Sequence, residues 1–452
     1  MSVDHRDLIL AVNSGSSSLK ASLFVCLEEP VAHERSRAVE LILSLSLTSI
    51  SSPSVAQFSF RSKRSQENQE ESLDSIKDHA AAFSYFLDRL KKIASIDPER
   101  IGHVCHRVVH GGDYLDPVII TKESYSHIEK LSDLAPLHNG AALSVIEACI
   151  SALPNAISIA YFDTSFHRSI PPHIASNATN QEVAKERGLK KYGFHGLSYS
   201  YILRSVANHL GQPVDTLNLV VMHLGSGASV CAIKNGRSLD TSMGLTPADG
   251  LPGATRSGAI DPSLIFHYTN RAGRITHDPS MAAEVGVTHA EEILNREAGW
   301  KSITGTTDFG KITSNAELDN PDPDVATRNP NRLAFDLFVD RILDYVGSYH
   351  LKLDGKVDAL VFSGGIGEKG VQLRATISKR VRCLGYQKLD ETRNNDLDPK
   401  KEVIQISVEG TTEGPGPTDK QKRLLVCHTD EQFEMANDCA SDLSRWDTPS
   451  ST

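Results

Sequence analysis

The chain has 452 residues, 39% hydrophobic and 23% charged, with a net charge of −10. That length exceeds one ordinary core and points to two or three domains of a soluble globular protein. The acidic balance excludes broad attraction to nucleic acid or to an anionic membrane, so an anionic ligand has to meet a locally positive pocket.

The start, MSVDHRDLIL, carries acid before a short strand, and no run approaches about 18 apolar residues, so neither a signal peptide nor a membrane span is expected. Cys26, Cys105, Cys149, Cys231, Cys383, Cys427 and Cys439 are far apart and form no C-x-x-C pair. A disulfide framework or zinc site is not expected, and a reducing, cytoplasmic location is.

Residues 8–12 (LILAV) and 19–25 (LKASLFV) read as strands joined by a polar turn. In the joining NSGSSSLK, glycine permits close backbone approach, while hydroxyls, an amide and Lys20 suit a phosphate; a serine-rich hairpin is the plain alternative. The P-loop spacing is absent. Residues 44–75, rich in serine and ending in SKRSQENQEES, read as a solvated insertion with some strand content. Residues 76–94 follow as a helix.

HVCHRVVHGG (103–112) bunches three histidines, Cys105 and Arg107. A metal site and a buried core are both open readings; the favoured one projects Arg107 as a fork for carboxylate or phosphate. APLHNG (135–140) and YFDTSFH (161–167) place His138 and Asp163 at the edges of apolar runs, with helix capping as the plain reading for Asp163. YGFHG (192–196) presents His195 as a positioned donor or a core histidine. NLVVMHL (218–224), the turn GSGAS and VCAI (230–233) repeat the strand–turn–strand pattern, which suggests two related halves. PGATRSGAIDP (252–262) offers Arg256 on a glycine-flanked loop, for a ligand or a structural salt bridge.

The stretch 332–352 has helical spacing, and DALVFSGGIGEKG (358–370) is a buried strand and glycine turn that opens a further helix. GIGEKG (365–370) matches G-x-G-x-x-G, but it stands too near the end of the chain for a dinucleotide-binding half. Residues 409–422 read as a flexible loop and 440–452 as a polar tail. Strands and helices alternate, so an α/β fold is expected.

In order, NSGSSSLK, HRVVHGG, LHN, FDTSFH, YGFHG, HLGSGAS, TRSGAIDP and GGIGE run from residue 13 to 368. This succession closely resembles the acetokinase family of the acetate and sugar kinase/Hsp70/actin superfamily. The resemblance implies a two-domain, actin-like (ribonuclease H-like) α/β fold with the active site in the interdomain cleft. It implies an N-terminal domain over 1–165, with 44–75 inserted and a helix at 432–446 packing back on it. A nucleotide-binding and dimerising domain then spans 166–431.

The implied activity is acetate kinase, reversible phosphoryl transfer between ATP and acetate with Mg2+ (or Mn2+). Propionate, butyrate or pyrophosphate-dependent variants are alternatives, as is a nucleotide-dependent binding module. The implied partners are acetate or acetyl phosphate, ATP or ADP and a second copy of the chain, with no nucleic acid or membrane. By resemblance, Arg107, Arg256, His195, His138 and Asp163 are catalytic, and Arg107, Val109, Leu137, Phe194 and Pro247 bind the acid. Ser16, Ser18, Lys20, His223, Leu224, Gly225, Ser226, Gly227, Asp308, Phe309, Gly310, Gly364, Gly365, Ile366, Gly367 and Glu368 line the nucleotide and phosphate region. Asn13 and Glu431 serve the metal. Ser226, Gly310 and Lys369 depart from the residues common in the family, all on the nucleotide side.

Overall fold

The structure, a computed structural model, describes residues 7–15, 18–27, 38–50, 55–63, 68–73, 76–131, 136–265, 275–277, 286–410 and 422–446; side chains of 136–138, 275–277 and 286–287 are left aside. The chain divides into two compact units. Unit one holds Met1–Ser165, His277–Val287 and Asp430–Thr452; unit two holds Phe166–Thr276 and Thr288–Thr429.

Unit one is built on eight strands in the order β5-β4-β3-β2-β1-β6-β8-β7. They are β1 (Leu8–Gly15), β2 (Ser18–Cys26), β3 (Val39–Thr48), β4 (Ala56–Ser62), β5 (Asn68–Leu73), β6 (Ile101–Val108), β7 (Val118–Ile119) and β8 (Ile157–Phe162). β1, β6 and β8 run parallel, and the remaining neighbours are antiparallel. The first hairpin is longer than the apolar runs suggest. Asn13 pairs with Lys20 and Gly15 with Ser18, so most of NSGSSSLK belongs to strands.

The strand content expected of 44–75 is present, and its solvated character is corrected. Its strands extend the sheet, and Leu43, Leu45, Leu47, Phe58 and Phe60 are buried in the core of unit one with Phe83, Phe86 and Leu90 of the helix His79–Ala94. Each such side chain contributes about 1.5–3 kcal/mol by leaving water. Only β5, with no buried residue, answers to a solvated segment. The C-terminal helix spans Glu431–Ser441 and is followed by a 3-10 turn at Leu443–Trp446. It lies on the unit-one sheet, where Asn437 accepts from Ala38 N at 2.8 Å and Asp438 from the Tyr161 hydroxyl at 3.1 Å.

Unit two has six strands, ordered β11-β10-β9-β14-β16-β15. They are β9 (Leu219–Leu224), β10 (Ala228–Lys234), β11 (Arg237–Thr241), β14 (Ala359–Ser363), β15 (Val403–Gln405) and β16 (Arg423–Cys427); a small ribbon pairs β12 (Ile275–His277) with β13 (Gly286–Thr288). β9, β14 and β16 are parallel. An antiparallel triplet, two more parallel strands and an antiparallel edge thus recur in both units, as the repeated strand–turn–strand pattern suggested. The long helix Pro330–Lys352 is capped by Asn329, which accepts from the amides of Asn331 and Arg332. It buries Phe335, Phe338, Ile342 and Val346 against that sheet's core.

Candidate active site

In sheets with parallel strands, ligands gather beyond the carboxyl ends, where successive connections leave room. The predicted acid and phosphate residues of unit one lie there. Asn13 stands near the end of β1, Arg107 near the end of β6, and Asp163 directly after β8. The Arg107 guanidinium grips Asp163 with two hydrogen bonds, Nη2 to Oδ2 at 2.6 Å and Nε to Oδ1 at 3.2 Å. Its Nη1 donates to Asn13 Oδ1 at 3.1 Å and lies 3.2 Å from Glu431 Oε2, which itself accepts from Asn13 Nδ2 at 2.7 Å. Burial opposes the Arg107 charge, but Asp163 and Glu431 outweigh it and raise the pKa above the ordinary guanidinium value. Asp163 is 0% exposed and is the ion-pair partner of this arginine.

Lys20 is exposed and lies directly across from Asn13, hence on the same face of the hairpin. Ser18 is half-buried at the hairpin tip. Val109 is half-buried just beyond β6. Ser16 and the side chains of Leu137 and His138 lie outside the described residues. Among the described residues, the other histidines of 103–112 join no cluster that could hold a metal ion. His106 is buried beside Ser158 Oγ at 3.3 Å, and burial pushes its pKa down to about 3. His110 is buried in a bracket in which Asn139 accepts from its amide and donates to its carbonyl.

Unit two repeats the pattern. His223 and Leu224 end β9, Gly364–Glu368 follow β14, and His428 follows β16. His195 begins the helix Gly196–Leu210 from a left-handed backbone, φ 59°, which turns its ring toward β9 and β10. The ring stacks on His223 at 4.2 Å between centroids, and its Nδ1 shares a 2.8 Å hydrogen bond with the buried Ser229 hydroxyl, which also meets Tyr199. Arg256 belongs beside it. A Cβ built on Gly227 would stand 3.1 Å from Arg256 Nη1 and 3.7 Å from His195 Nε2. Gly227 thus leaves space where an arginine and an imidazole converge, while Ser226 is exposed and Gly225 half-buried on the same turn.

Gly364 has φ +74° and presses on the Leu224 carbonyl, where a Cβ would sit 2.6 Å away, so only glycine seats this turn against β9. Gly365 is exposed, while Ile366 and the buried Gly367 continue a short helix, Gly364–Lys369. Glycines of the G-x-G-x-x-G match therefore lie inside a helix, which does not fit a dinucleotide fingerprint. Glu368 Oε2 pairs with His428 Nδ1 at 2.9 Å. Burial opposes Glu368 ionisation, but that bond holds the carboxyl below its usual range and raises His428.

Asp308, Phe309 and Gly310 open a helix of unit two. Asp308 caps the helix Phe309–Asn315 by accepting from the amides of Gly310 and Lys311. The Phe309 ring is buried edge-on to Trp300 and Phe338, for which packing is the physical reason. Gly310 is exposed. Phe194 and Pro247 are buried in unit two, and the Phe194 carbonyl accepts from His167 Nε2 at 2.9 Å. Sequence reasoning missed Ser229, Tyr199, Asn139 and His428. Each acts through a neighbour distant in sequence, and no short motif marks such a residue.

For the metal, donor chemistry is the test. Glu431 and Asn13 offer hard oxygen, and among the described residues no cluster of three or more His, Cys, Asp and Glu is placed to hold an ion by itself. Mg2+ binds through one or two carboxylates, water and substrate phosphates, so this sparse set fits it.

The solved structures fix the class. Porphyromonas gingivalis acetate kinase superposes with a TM-score of 0.74 at 30% identity, covering 97% of this chain and 100% of that one. A propionate kinase from Francisella tularensis gives 0.77 at 30% identity, covering 95% and 98%. The two units are those of the actin-like fold shared by acetate and sugar kinases. At the sequence level, the profile of the Acetokinase family matches residues 8–432. A probable acetate kinase of Emericella nidulans is 45% identical over 441 residues, 96% of this chain and 97% of its own length. The chain belongs to the acetokinase family.

Proposed function

We propose that this protein is an acetate kinase that transfers the γ-phosphoryl group of ATP reversibly and directly to acetate, giving acetyl phosphate and ADP. The observation that carries the reading is the pair of arginine sets. Arg107 is fixed by Asp163, Asn13 and Glu431 at the parallel-strand ends of unit one, and Arg256 converges with His195 over Gly227 in unit two. Acetate, like a glutamate side chain with a pKa of roughly 4.3, is already an anion at neutral pH and needs no general base. A carboxylate oxygen forms the new P–O bond as the bond from the γ-phosphorus to the β-bridging oxygen breaks, and that electron pair leaves with ADP.

Two anions must meet, so the work is positioning and charge stabilisation. Arg107 orients the acid, Arg256 offsets charge on the phosphoryl oxygens, and His195, its Nδ1 held by Ser229, presents Nε2 to the same oxygens. Mg2+, when bound, neutralises phosphate charge; Glu431 and Asn13 are the residues to hold it. Lys20, Ser18 and the turns 223–227 and 364–368 serve the nucleotide. Val109, Phe194 and Pro247 serve the acetate methyl.

A second reading, propionate as acceptor, is favoured by the likeness to the Francisella tularensis propionate kinase. One extra methylene is discriminated by only about 1–3 kcal/mol. The test is hydroxamate formation with hydroxylamine, run with acetate and propionate, and with ATP and pyrophosphate as donors. The account expects acetate with ATP to give the highest kcat/KM, and no hydroxamate with either acid would overturn it. We also propose a homodimer, the state the sequence resemblance implies, for which light scattering should give about twice the 49.2 kDa chain mass.

A further inference from the structure

The Gly364–Lys369 turn and the backbone that leaves unit two meet at one side chain. Glu368 Oε2 lies 2.9 Å from His428 Nδ1, and its Oε1 accepts from Thr429 N at 3.5 Å. His428 and Thr429 are the last residues of unit two in chain order, and unit one resumes at Asp430. The following residue, Glu431, carries the carboxylate bonded to Asn13 and paired with Arg107.

Four residues, His428 to Glu431, therefore join the nucleotide-side turn to the arginine set. Both ends are pinned. The Cys427 carbonyl accepts from Ser363 Oγ at 2.5 Å and His428 N donates to Glu402 O at 2.9 Å; Asp430 accepts from Phe433 N at 2.8 Å, starting the helix Glu431–Ser441. A strap of four residues, fully extended, reaches at most about 14 Å. The His428 ring faces a carboxylate through Nδ1, so that nitrogen carries the proton and donates. Its Nε2 is buried with no hydrogen-bond partner among the described residues. The Glu368 bond is what that ring is placed to make.

We propose that His428 is a positioning residue that couples nucleotide engagement at the Gly364–Lys369 turn to the Arg107–Glu431 set. It rests on the reading that this turn faces the nucleotide. When the nucleotide settles against the turn, Glu368 holds His428 and Thr429, and the strap fixes Glu431 beside Arg107. Nucleotide and acid then bind cooperatively, and the coupling is reciprocal.

The experiment measures MgADP affinity of the full-length protein by calorimetry, with and without saturating acetate. The wild type should show at least about a fivefold tightening by acetate, the low end of ordinary coupling. His428→Ala should bring that ratio below about twofold. His428→Asn, which keeps an N–H donor at the δ position, should restore it, a rescue that a merely structural role would not give. Thermal unfolding verifies that each variant is folded. A wild-type ratio of one, or an undiminished ratio in folded His428→Ala, overturns the proposal. Gly365→Val separates this from failure of the underlying reading, because a Cβ there meets nothing within 4 Å and the fold tolerates it. If it leaves MgADP affinity unchanged, the turn does not face the nucleotide and the proposal falls with that reading. If it weakens MgADP while His428→Ala keeps the coupling, only the positioning role is lost.

Discussion

Arg107→Ala perturbs more than catalysis. Asp163 is 0% exposed and both its oxygens receive Arg107 N–H groups. Removing the guanidinium takes the cation from a buried carboxylate, and breaking a buried pair from one side costs about 3–5 kcal/mol. Unfolding of unit one should fall by about 6–12 °C for the lower bound of that cost, given 2–4 °C per kcal/mol in a unit of this size. Turnover should fall at least about 100-fold, because the proposed reaction has the same arginine orient the acid, and one arginine in phosphoryl transfer is worth about 10³–10⁵.

The two effects separate in the double variant Arg107→Ala/Asp163→Ala. With both charges gone, most of the lost stability should return, while turnover stays at the level of the single variant. Differential scanning calorimetry and the hydroxamate assay on the four members of the cycle give both quantities. Wild-type stability in Arg107→Ala, or recovered turnover in the double variant, would refute the reasoning.

Arg256→Ala should lose at least about 100-fold in kcat, read by steady-state kinetics. Ser229→Ala removes the hydroxyl shared by His195 and Tyr199, and should cost about 1–3 kcal/mol of stability. Its kcat should drop about tenfold or more with acetate KM little changed, because the imidazole loses the bond that sets its tautomer. Acid should destabilise the fold through His106 and His167, pushed by burial down to about 3 and about 4. Between pH 6.5 and 4 the unfolded chain binds these protons and the folded one does not, so stability falls as pH falls, by about 1.4 kcal/mol per unit for each histidine. Denaturant midpoints from pH 7 to 5 should show that slope, and His106→Gln should make it shallower.

What the sequence made legible follows the range of the contacts. The hairpins β1–β2 and β9–β10 and the helix Pro330–Lys352 rest on local periodicity and were readable as such. The burial of 44–75 was misread because its serines masked an alternating strand; LILSLSL (41–47) places Leu43, Leu45 and Leu47 on the buried face of β3. Arg107 was singled out as a fork, but its partner Asp163 lies 56 positions away, and the Asn13–Glu431 bond spans 418. Only the fold joins residues so distant. Asp308 and Phe309 show the converse. The resemblance names their positions, while the cap bond of one and the core packing of the other appear only in the fold.

The measurement closest to the central claim is 31P NMR of the purified protein with acetate and MgATP. The account predicts acetyl phosphate and ADP appearing in equal amounts, with loss of the acetyl phosphate signal in Arg256→Ala. ATP consumed to ADP and inorganic phosphate alone, with no acetyl phosphate formed, would contradict it.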